Sequence, residues 1–237
     1  SLKSFGNFFF IGELTYNEDR IKSNFSLKND NGEIYTDLDI FDFEDIDNAS
    51  YVGIFRGIDV DLSNFITLPF LGKSTFQFTI DGKGFVPELL NSKLEGKIDD
   101  LKIKDYNYSN IDIFGDVSDK VFNGTLTVND ENIQMDFIGL VDYSNQFIDF
   151  DFSTNISKAN IGKLNLTSIE NNSLSGQITT KLRGSSTADL IGDLSFNDFK
   201  YFSGEATYNF DQLIAQSRIN NDKRFYSINS PDALTGI

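Results

Sequence analysis

Apolar and polar residues alternate along residues 122–141, "FNGTLTVNDENIQMDFIGLV", in two runs separated by a polar stretch. A period of two places every second side chain on the same face of a β-strand. The four residues "NDEN" between the runs have an ordinary length for a hairpin loop. The pattern predicts an antiparallel hairpin with one apolar face. The residues on that face are Phe122, Gly124, Leu126, Val128, Ile133, Met135, Phe137, Gly139 and Val141.

The same alternation recurs along most of the chain. Residues 21–28 and 34–40 flank "NDNG" and repeat the hairpin design. Further alternating runs cover residues 76–80, 94–98, 148–156, 174–182 and 202–210. No convincing helical period separates these runs. We therefore predict an all-β chain of long, mainly antiparallel strands.

Two stretches interrupt the alternation, residues 58–70 and 156–166. Each is predicted to hold a short helical turn, with Ser63 or Ser157 as the N-cap and Pro69 as a helix breaker.

Glycine recurs on the apolar face in the frame apolar–x–Gly–x–apolar. The glycines in this frame are Gly12, Gly96, Gly115, Gly124, Gly139, Gly176, Gly192 and Gly204. In a β-sandwich, glycines on the inner face would leave costly voids between large side chains. In a single curled sheet with an open apolar groove, glycine relieves crowding on the concave face and permits the bend. Periodicity alone leaves both arrangements open.

The composition supports strands and excludes several kinds of function. The 237 residues include 24 Phe and 9 Tyr, and aromatic and β-branched residues favour a pleated surface. A formal net charge of −16 argues against binding to nucleic acid or to an anionic lipid surface, since both need clustered Lys and Arg. Cys and His are absent, which removes the thiolate nucleophile and the commonest general base and metal ligand.

Acidic residues at 57–64 raise the question of a calcium site. Asp59, Asp61 and Ser63 alternate as in an EF-hand loop, but such a loop also needs glycine at its sixth position and a carboxylate at its twelfth. The chain has Asn64 and Phe70 there. We therefore expect a solvated acidic face without metal. Because no nucleophile elbow, phosphate loop or distinctive carboxylate pair occurs either, we assign no catalytic residue and no cofactor, and expect a protein that is not an enzyme.

The chain begins "SLKSFGNFFF" and ends "SPDALTGI" without a terminal cap, and no linker rich in Pro, Gly and Ser divides it. No apolar run approaches the roughly 18 residues that a membrane-spanning helix needs. We expect residues 1–237 to be one segment of a longer protein.

Several motifs follow one another in a specific order. They include "YNYSNIDIFG" at 106–115, "FNGTLTVNDENIQMDFIGLVD" at 122–142 and "ISKANIGKLNL" at 156–166. Upstream, "GNFFFIGELTY" at 6–16 and "FTIDGKGF" at 78–85 extend the series. This order resembles the TamB family of AsmA-like proteins in the form found in Bacteroidota. The chain departs from that family at "DLSNFITLP", where a second glycine and a lysine are expected after the aspartate.

The resemblance implies a long repeating β-groove, or β-taco, in which one curled sheet encloses an apolar inside. Members of the family are anchored in the inner membrane and cross the periplasm. Their C-terminal region meets an outer-membrane barrel of the Omp85 class, of the TamA or BamA kind. The implied function is a non-enzymatic conduit that carries phospholipid acyl chains between the membranes and supports outer-membrane assembly.

Residues of the alternating runs are the expected lining of the groove. They are Phe122, Gly124, Leu126, Val128, Ile133, Met135, Phe137, Gly139, Val141, Leu94, Ile98, Phe150, Phe152, Leu174 and Ile178. Two alternatives stay open. One is a structural or chaperone scaffold for outer-membrane proteins, with a filled core and no lipid. The other is a carbohydrate-binding module, which needs an aromatic platform on the polar face, where alternation places few aromatic residues other than Tyr35.

Overall fold

The structure is a computed structural model that describes residues 7–45, 47–64, 71–86, 89–184, 189–221 and 223–230. The chain forms two compact units, Ser1–Lys120 and Val121–Ile237. The described part of each unit consists of antiparallel strands and their connections, with one short 3₁₀ helix at Leu62–Asn64. The predicted fold class is therefore confirmed as all-β with antiparallel strands.

The described part of the first unit contains seven strands in one sheet, ordered as they occur along the chain. Each strand pairs antiparallel with its neighbours in sequence, and β1 does not pair with β7, so that the sheet of this unit stays open. The strands are β1 (Phe9–Asn17), β2 (Arg20–Asn29), β3 (Gly32–Phe41), β4 (Ser50–Asp61), β5 (Leu71–Lys83), β6 (Asn91–Ile103) and β7 (Tyr106–Ser118).

The second unit repeats this plan. Its strands also follow chain order in an antiparallel sheet, and β8 does not pair with β14. The strands are β8 (Val121–Asn129), β9 (Ile133–Asp142), β10 (Ile148–Ala159), β11 (Ser173–Gly184), β12 (Ile191–Phe202), β13 (Thr207–Asn220) and β14 (Lys223–Asn229). The hairpin predicted at 122–141 is β8 and β9, with Gly124 directly opposite Gly139.

The strand register aligns the apolar positions of neighbouring strands into rows that cross each sheet. One such row in the first unit is Phe10/Leu27/Ile34/Gly57/Phe76/Ile98/Ile111. Because side chains alternate between faces, this register gives the sheet one apolar and one polar face.

β-Bulges preserve these rows where the alternation breaks. In β4 the register shifts between Gly57 and Val60, and Asp59 adopts a left-handed backbone with φ of 51°. Gly57 and Val60 nevertheless share a face, because a methyl group built at Gly57 would lie 2.9 Å from Val60 Cγ2. A similar shift occurs in β10 between Ile156 and Ala159. A bulge adds one residue to a strand, bends it and increases its twist.

The buried core of the first unit comes from one sheet only. Leu27, Ile34, Val60 and Phe76 form a cluster of buried side chains on β2 to β5, and Leu62 of the 3₁₀ helix packs against it. The described residues of this unit contain no second sheet that could cover the cluster. The strands must therefore curl around these side chains. A single curled sheet, and not a β-sandwich, is the arrangement of this unit.

The predicted strand at 202–210 is wrong. β12 ends at Phe202 and β13 begins at Thr207, so this run contains a hairpin turn. Within the turn, Ser203 N donates to Ala206 O at 2.9 Å, and Gly204 has a φ of 95°. Gly204 is thus a turn residue and does not belong to the apolar face.

The two predicted helical turns have different outcomes. At 58–70 the 3₁₀ helix is present, but Ser63 lies within it and Asp61 is the capping residue. Its Oδ1 accepts hydrogen bonds from Ser63 N at 3.1 Å and Ser63 Oγ at 2.7 Å. Pro69 lies outside the described residues.

At 156–166 the strand β10 continues to Ala159, and Ser157 lies on it instead of capping a helix. The hydroxyl of Ser157 donates to Gln134 O at 3.2 Å. A hydrogen-bonded turn follows, in which Leu164 N donates to Asn160 O at 3.0 Å. Leu164 is buried in this connection to β11.

Candidate functional site

The predicted groove residues of the second unit share one face of β8 to β11. They fall into five cross-strand rows that contain no charged residue. The rows are Phe122/Val141/Phe150, Gly124/Gly139/Phe152, Leu126/Phe137/Thr154/Ile178, Val128/Met135/Ile156 and Ile133/Ala159/Leu174. The structure thus brings all thirteen of these predicted residues together on one surface.

The other two predicted residues, Leu94 and Ile98, lie on β6 in the first unit. Leu94 pairs with Ile80 on one side and with Gly115 on the other. Ile98 lies between Phe76 and Ile111, and it packs against the core cluster of this unit. Both residues therefore belong to the apolar face of the first unit.

Most residues of these rows are half-buried, although their side chains are large and apolar. Val128 and Ile156 are buried, whereas Phe122, Phe137 and Phe152 have intermediate exposure. A sheet face that packs against a second layer normally buries its large side chains fully. The described residues of the second unit supply no such layer. The described residues of this unit therefore leave its apolar face without a second layer.

Glycines on the apolar faces make room for neighbouring side chains. At Gly57 a methyl group would lie 2.6 Å from ring carbons Cε1 and Cζ of Phe76, the residue opposite it on β5. At Gly139 it would lie 2.5 Å from Cα of Phe152 on β10. Such distances are too short for carbon atoms that are not bonded. Gly124 pairs directly with Gly139, so two adjacent positions on β8 and β9 have no side chain. The apolar face is therefore shallower there than at Phe122 and Leu126 on either side.

Small polar residues also occupy the apolar faces, but their hydroxyl groups turn back to the backbone. Ser74 Oγ donates to Asp100 O at 2.8 Å, Thr154 Oγ1 to Asp136 O at 2.8 Å and Thr180 Oγ1 to Asp193 O at 3.1 Å. All three residues are buried. Because a carbonyl on the same sheet accepts each hydroxyl, these residues add no free polar group to the apolar face.

The opposite face carries the charges. Lys181 lies directly opposite Asp151, with Nζ 3.2 Å from Oδ2. Arg183 lies opposite Asp149, donating from Nε and Nη2 at 2.6 and 2.7 Å, and these hydrogen bonds lower the pKa of Asp149. The pKa of Asp193 is likewise lowered, chiefly by its hydrogen bond from Arg218. These pairs are exposed and lie on the face opposite the uncharged rows of β8 to β11.

On the apolar face of the first unit, burial raises the pKa of Tyr51, against the lowering effect of a hydrogen bond with Ser92. The ring of Tyr51 packs on Phe85, with 4.9 Å between ring centroids. The neutral phenol is therefore favoured.

Two of the concavities in the described part of the second unit lie on opposite faces. An apolar one of about 340 Å³ lies on the apolar face of β11 to β14. A polar one of about 520 Å³ is lined mainly by outward-facing residues of β8 to β11, such as Thr127, Asp136 and Asn155. A further one, of about 670 Å³, is lined by charged side chains such as Asp149, Asp193 and Arg218. Only the first combines apolar walls with the surface described above.

The described part of the chain contains no group of three or more Asp or Glu side chains placed to hold a metal ion. Asp61 of the acidic stretch instead caps the 3₁₀ helix, and Phe70 lies outside the described residues. Within that same part of the chain, no helix has the length and apolar character needed to cross a membrane.

The apolar surface extends beyond the residues predicted for it. Additional members on β12 and β13 are Leu194, Phe196, Leu213, Ala215 and Ser217, and on β2 to β5 they are Leu27, Ile34, Phe55, Phe76 and Phe78. Alternation indicates many of these positions. Nothing in the sequence distinguishes Ser217, which becomes notable only through its surroundings.

On the polar face, Tyr35 is covered by Arg56, whose Cζ lies 5.4 Å from the ring centroid. Phe114 is also outward-facing and 58% exposed. Phe9 and Phe41 also lie on this face, on β1 and β3, and none of these four rings shares a cross-strand row with another.

No family model matches the chain, and no curated protein or solved structure matches it.

Proposed function

We propose that the chain is a non-enzymatic conduit segment whose apolar sheet faces bind the acyl chains of phospholipids. The observation that carries this proposal is the set of uncharged rows across β8 to β11, whose large side chains are only half-buried. A continuous apolar surface of this kind exceeds what soluble proteins usually leave uncovered, and it therefore needs a ligand or a cover.

The energetics of acyl chains suit such a surface. Removing one methylene from water contributes about 0.8 kcal/mol, so the free energy of transfer grows steadily with the length of chain that lies on the sheet. Because successive rows have similar composition, a chain that shifts by one row exchanges similar contacts. Conduction requires many sites of nearly equal affinity and not one deep pocket.

The side chains around Gly124 and Gly139 suit an elongated apolar ligand. Phe122 and Val141 lie in the row on one side of the glycine pair, and Leu126 and Phe137 lie in the row on the other. The rings of Phe137 and Phe152 contact each other, with 4.9 Å between centroids. On β8 and β9 the glycine pair thus leaves a gap between two rows of large apolar side chains, and Phe152 continues the same row on β10. A chain of methylenes on β8 and β9 would contact both rows and the side chain of Phe152.

The wider proposal follows the family resemblance. According to this wider proposal, the chain is part of an envelope-spanning TamB-like protein that is anchored in the inner membrane and lies in the periplasm. Its longer form reaches an Omp85-class barrel and supports outer-membrane assembly. The charged face supports this location, since exposed acidic residues keep the protein soluble and away from anionic headgroups.

The proposal can be tested with pairs of adjacent residues on opposite faces. A photo-crosslinking amino acid is placed at Phe137 or at Ile138 in the second unit, and at Ile113 or at Phe114 in the first. All four positions are apolar, but Ile138 and Phe114 are 61% and 58% exposed on the polar face. The purified chain is irradiated with phospholipid vesicles that carry a radiolabelled acyl chain.

Adducts concentrated at Phe137 and Ile113 are the expected result. If crosslinking depended only on exposure or on local hydrophobicity, Ile138 and Phe114 would react more strongly. Equal or stronger labelling at Ile138 and Phe114 would therefore overturn the proposal.

A further inference from the structure

The apolar concavity of the second unit has small residues at its base and large residues at its sides. Gly192, Ala215 and Ser217 form the base. The large residues that line it are Leu182, Leu190, Leu194, Tyr226 and Ile228, and no charged residue lines it. Its volume of about 340 Å³ is roughly twice that of an engineered apolar cavity that binds benzene. Tyr226 and Ile228 are 71% and 74% exposed, so one side of the concavity is an uncovered apolar wall.

Ser217 differs from the other buried hydroxyl residues of the apolar faces. It is only 8% exposed, yet its Oγ has no hydrogen-bond partner among the described residues. Nearby backbone carbonyls are engaged from the polar face, where Arg218 Nη1 donates to Gly192 O at 2.8 Å and Ser217 O at 3.0 Å. A buried hydroxyl without a partner destabilises the protein until an acceptor reaches it.

A ligand group that accepts a hydrogen bond from the Ser217 hydroxyl in this concavity must be neutral and attached to an apolar chain. A carboxylate or phosphate would be desolvated beside leucine side chains without a compensating cation, which is unfavourable. A pure hydrocarbon would fill the concavity but would leave the hydroxyl unpaired. An ester carbonyl attached to an acyl chain meets both requirements.

We propose that the concavity on β11 to β14 is a subsite for the ester end of an acyl lipid. The acyl chain lies against Leu194 and Ile228, and the ester carbonyl oxygen accepts a hydrogen bond from Ser217 Oγ. This subsite rests on the proposed function, because it locates one part of the same ligand on the same face. It adds a preference that a hydrocarbon surface alone lacks, namely for ester-linked over ether-linked lipids.

The experiment compares two short-chain phosphatidylcholines that differ only in linkage, one diester and one diether. Binding to the full chain is measured by native mass spectrometry and by isothermal titration. The variants are Ser217→Ala, which removes the hydroxyl, and Ser217→Thr, which keeps it. Ser195→Ala is the control, because Ser195 lies next to Leu194 on the opposite face of β12 and does not line the concavity.

The wild-type chain should bind the diester about fivefold more tightly than the diether, the factor expected for one neutral hydrogen bond with a net contribution of about 1 kcal/mol. Ser217→Ala should lose this preference by weakening diester binding alone, while Ser217→Thr and Ser195→Ala keep it. Equal binding of both lipids by the wild-type chain, or an unchanged preference in Ser217→Ala, would overturn the subsite but leave the conduit intact. If neither lipid binds, the proposed function fails as well.

Discussion

The substitution Gly57→Ala probes the role of glycine on the apolar face. The backbone at Gly57 lies outside the left-handed region, so alanine is restrained there only by space. Its methyl group would lie 2.6 Å from Cε1 and Cζ of Phe76. That ring cannot move aside easily, because Phe76 is buried and its centroid lies 5.0 Å from Phe78 and 5.6 Å from Phe55.

The expected loss of stability follows from two opposing effects. Overpacking a well-filled site costs about 1–3 kcal/mol. Replacing glycine by alanine stabilises a compatible site by about 0.4–1 kcal/mol through the unfolded state. The net destabilisation of Gly57→Ala should thus be about 1–2 kcal/mol. For a protein of this size, that lowers the Tm by about 2–8 °C.

Phe76→Leu supplies the matched background, since leucine lacks the two ring atoms that the alanine would strike. In that background Gly57→Ala should cost less, because only the close approach to Val60 Cγ2 at 2.9 Å remains, and the difference should give a coupling energy of about 1 kcal/mol. Gly72→Ala is the control, because a methyl group there meets only the flexible side chain of Lys102 at 3.2 Å. Urea unfolding followed by circular dichroism measures all variants. Additive costs for Gly57→Ala and Phe76→Leu would refute the view that glycine makes room for the ring.

Three further predictions concern polar groups. Ser217→Ala should leave the unfolding free energy unchanged or raise it, whereas Ser74→Ala, which orphans the Asp100 carbonyl, should lower it by about 1–3 kcal/mol; urea unfolding decides, and equal losses would contradict the prediction. In an NMR titration, Arg183→Gln should raise the lowered pKa of Asp149 and leave that of Asp193 unchanged. Because the folded-state pKa of Asp149 is lowered, the stabilising contribution of the pair with Arg183 is fully present above about pH 4, the ordinary pKa of an aspartate, and is lost as the pH falls further through the lowered folded-state pKa. An unmoved pKa of Asp149 in Arg183→Gln would contradict this. Tyr51 should ionise above its ordinary pKa of about 10, and Tyr51→Phe should remove that late step from an ultraviolet titration. The raised pKa means that stability declines as the pH rises through the alkaline range, and ionisation of every tyrosine at the ordinary pKa would refute the prediction.

Alternation predicted the strands and the apolar face well, because one-sided burial enforces a period of two. The sequence alone was enough to predict the hairpin β8–β9 and which residues between Phe122 and Val141 lie on its apolar face. The prediction of a strand at 202–210 was wrong for a physical reason. A turn around Ser203 and Gly204 kept apolar residues at the same spacing as a strand would, and periodicity cannot distinguish the two.

The bulges could not be predicted. At Asp59 one extra residue shifts the register, so Gly57 and Val60 share a face although they are three residues apart. The sequence indicated that glycine would both relieve crowding and permit the bend, and Gly57 has the first of these roles, next to a bulge. Its missing side chain accommodates Phe76 from the next strand.

The candidate site was partly predictable for the same reasons. The alternation of side chains along the strands placed Leu126, Phe137 and Ile178 correctly on one face. It could not indicate which hydroxyl on that face lacks an acceptor, because the carbonyls near Ser217 are engaged by Arg218 from the opposite face. That information depends on cross-strand geometry.

The most direct test of the central claim is a methyl NMR measurement with a phospholipid that carries a nitroxide on its acyl chain. Ile98, Leu126 and Ile178 report on the apolar faces, and Ile54 and Ile138 report on the polar faces. Lipid binding should broaden the methyl signals of the first group and leave those of the second sharp. Equal broadening of both groups, or broadening of Ile54 and Ile138 alone, would contradict the claim that the apolar faces hold acyl chains.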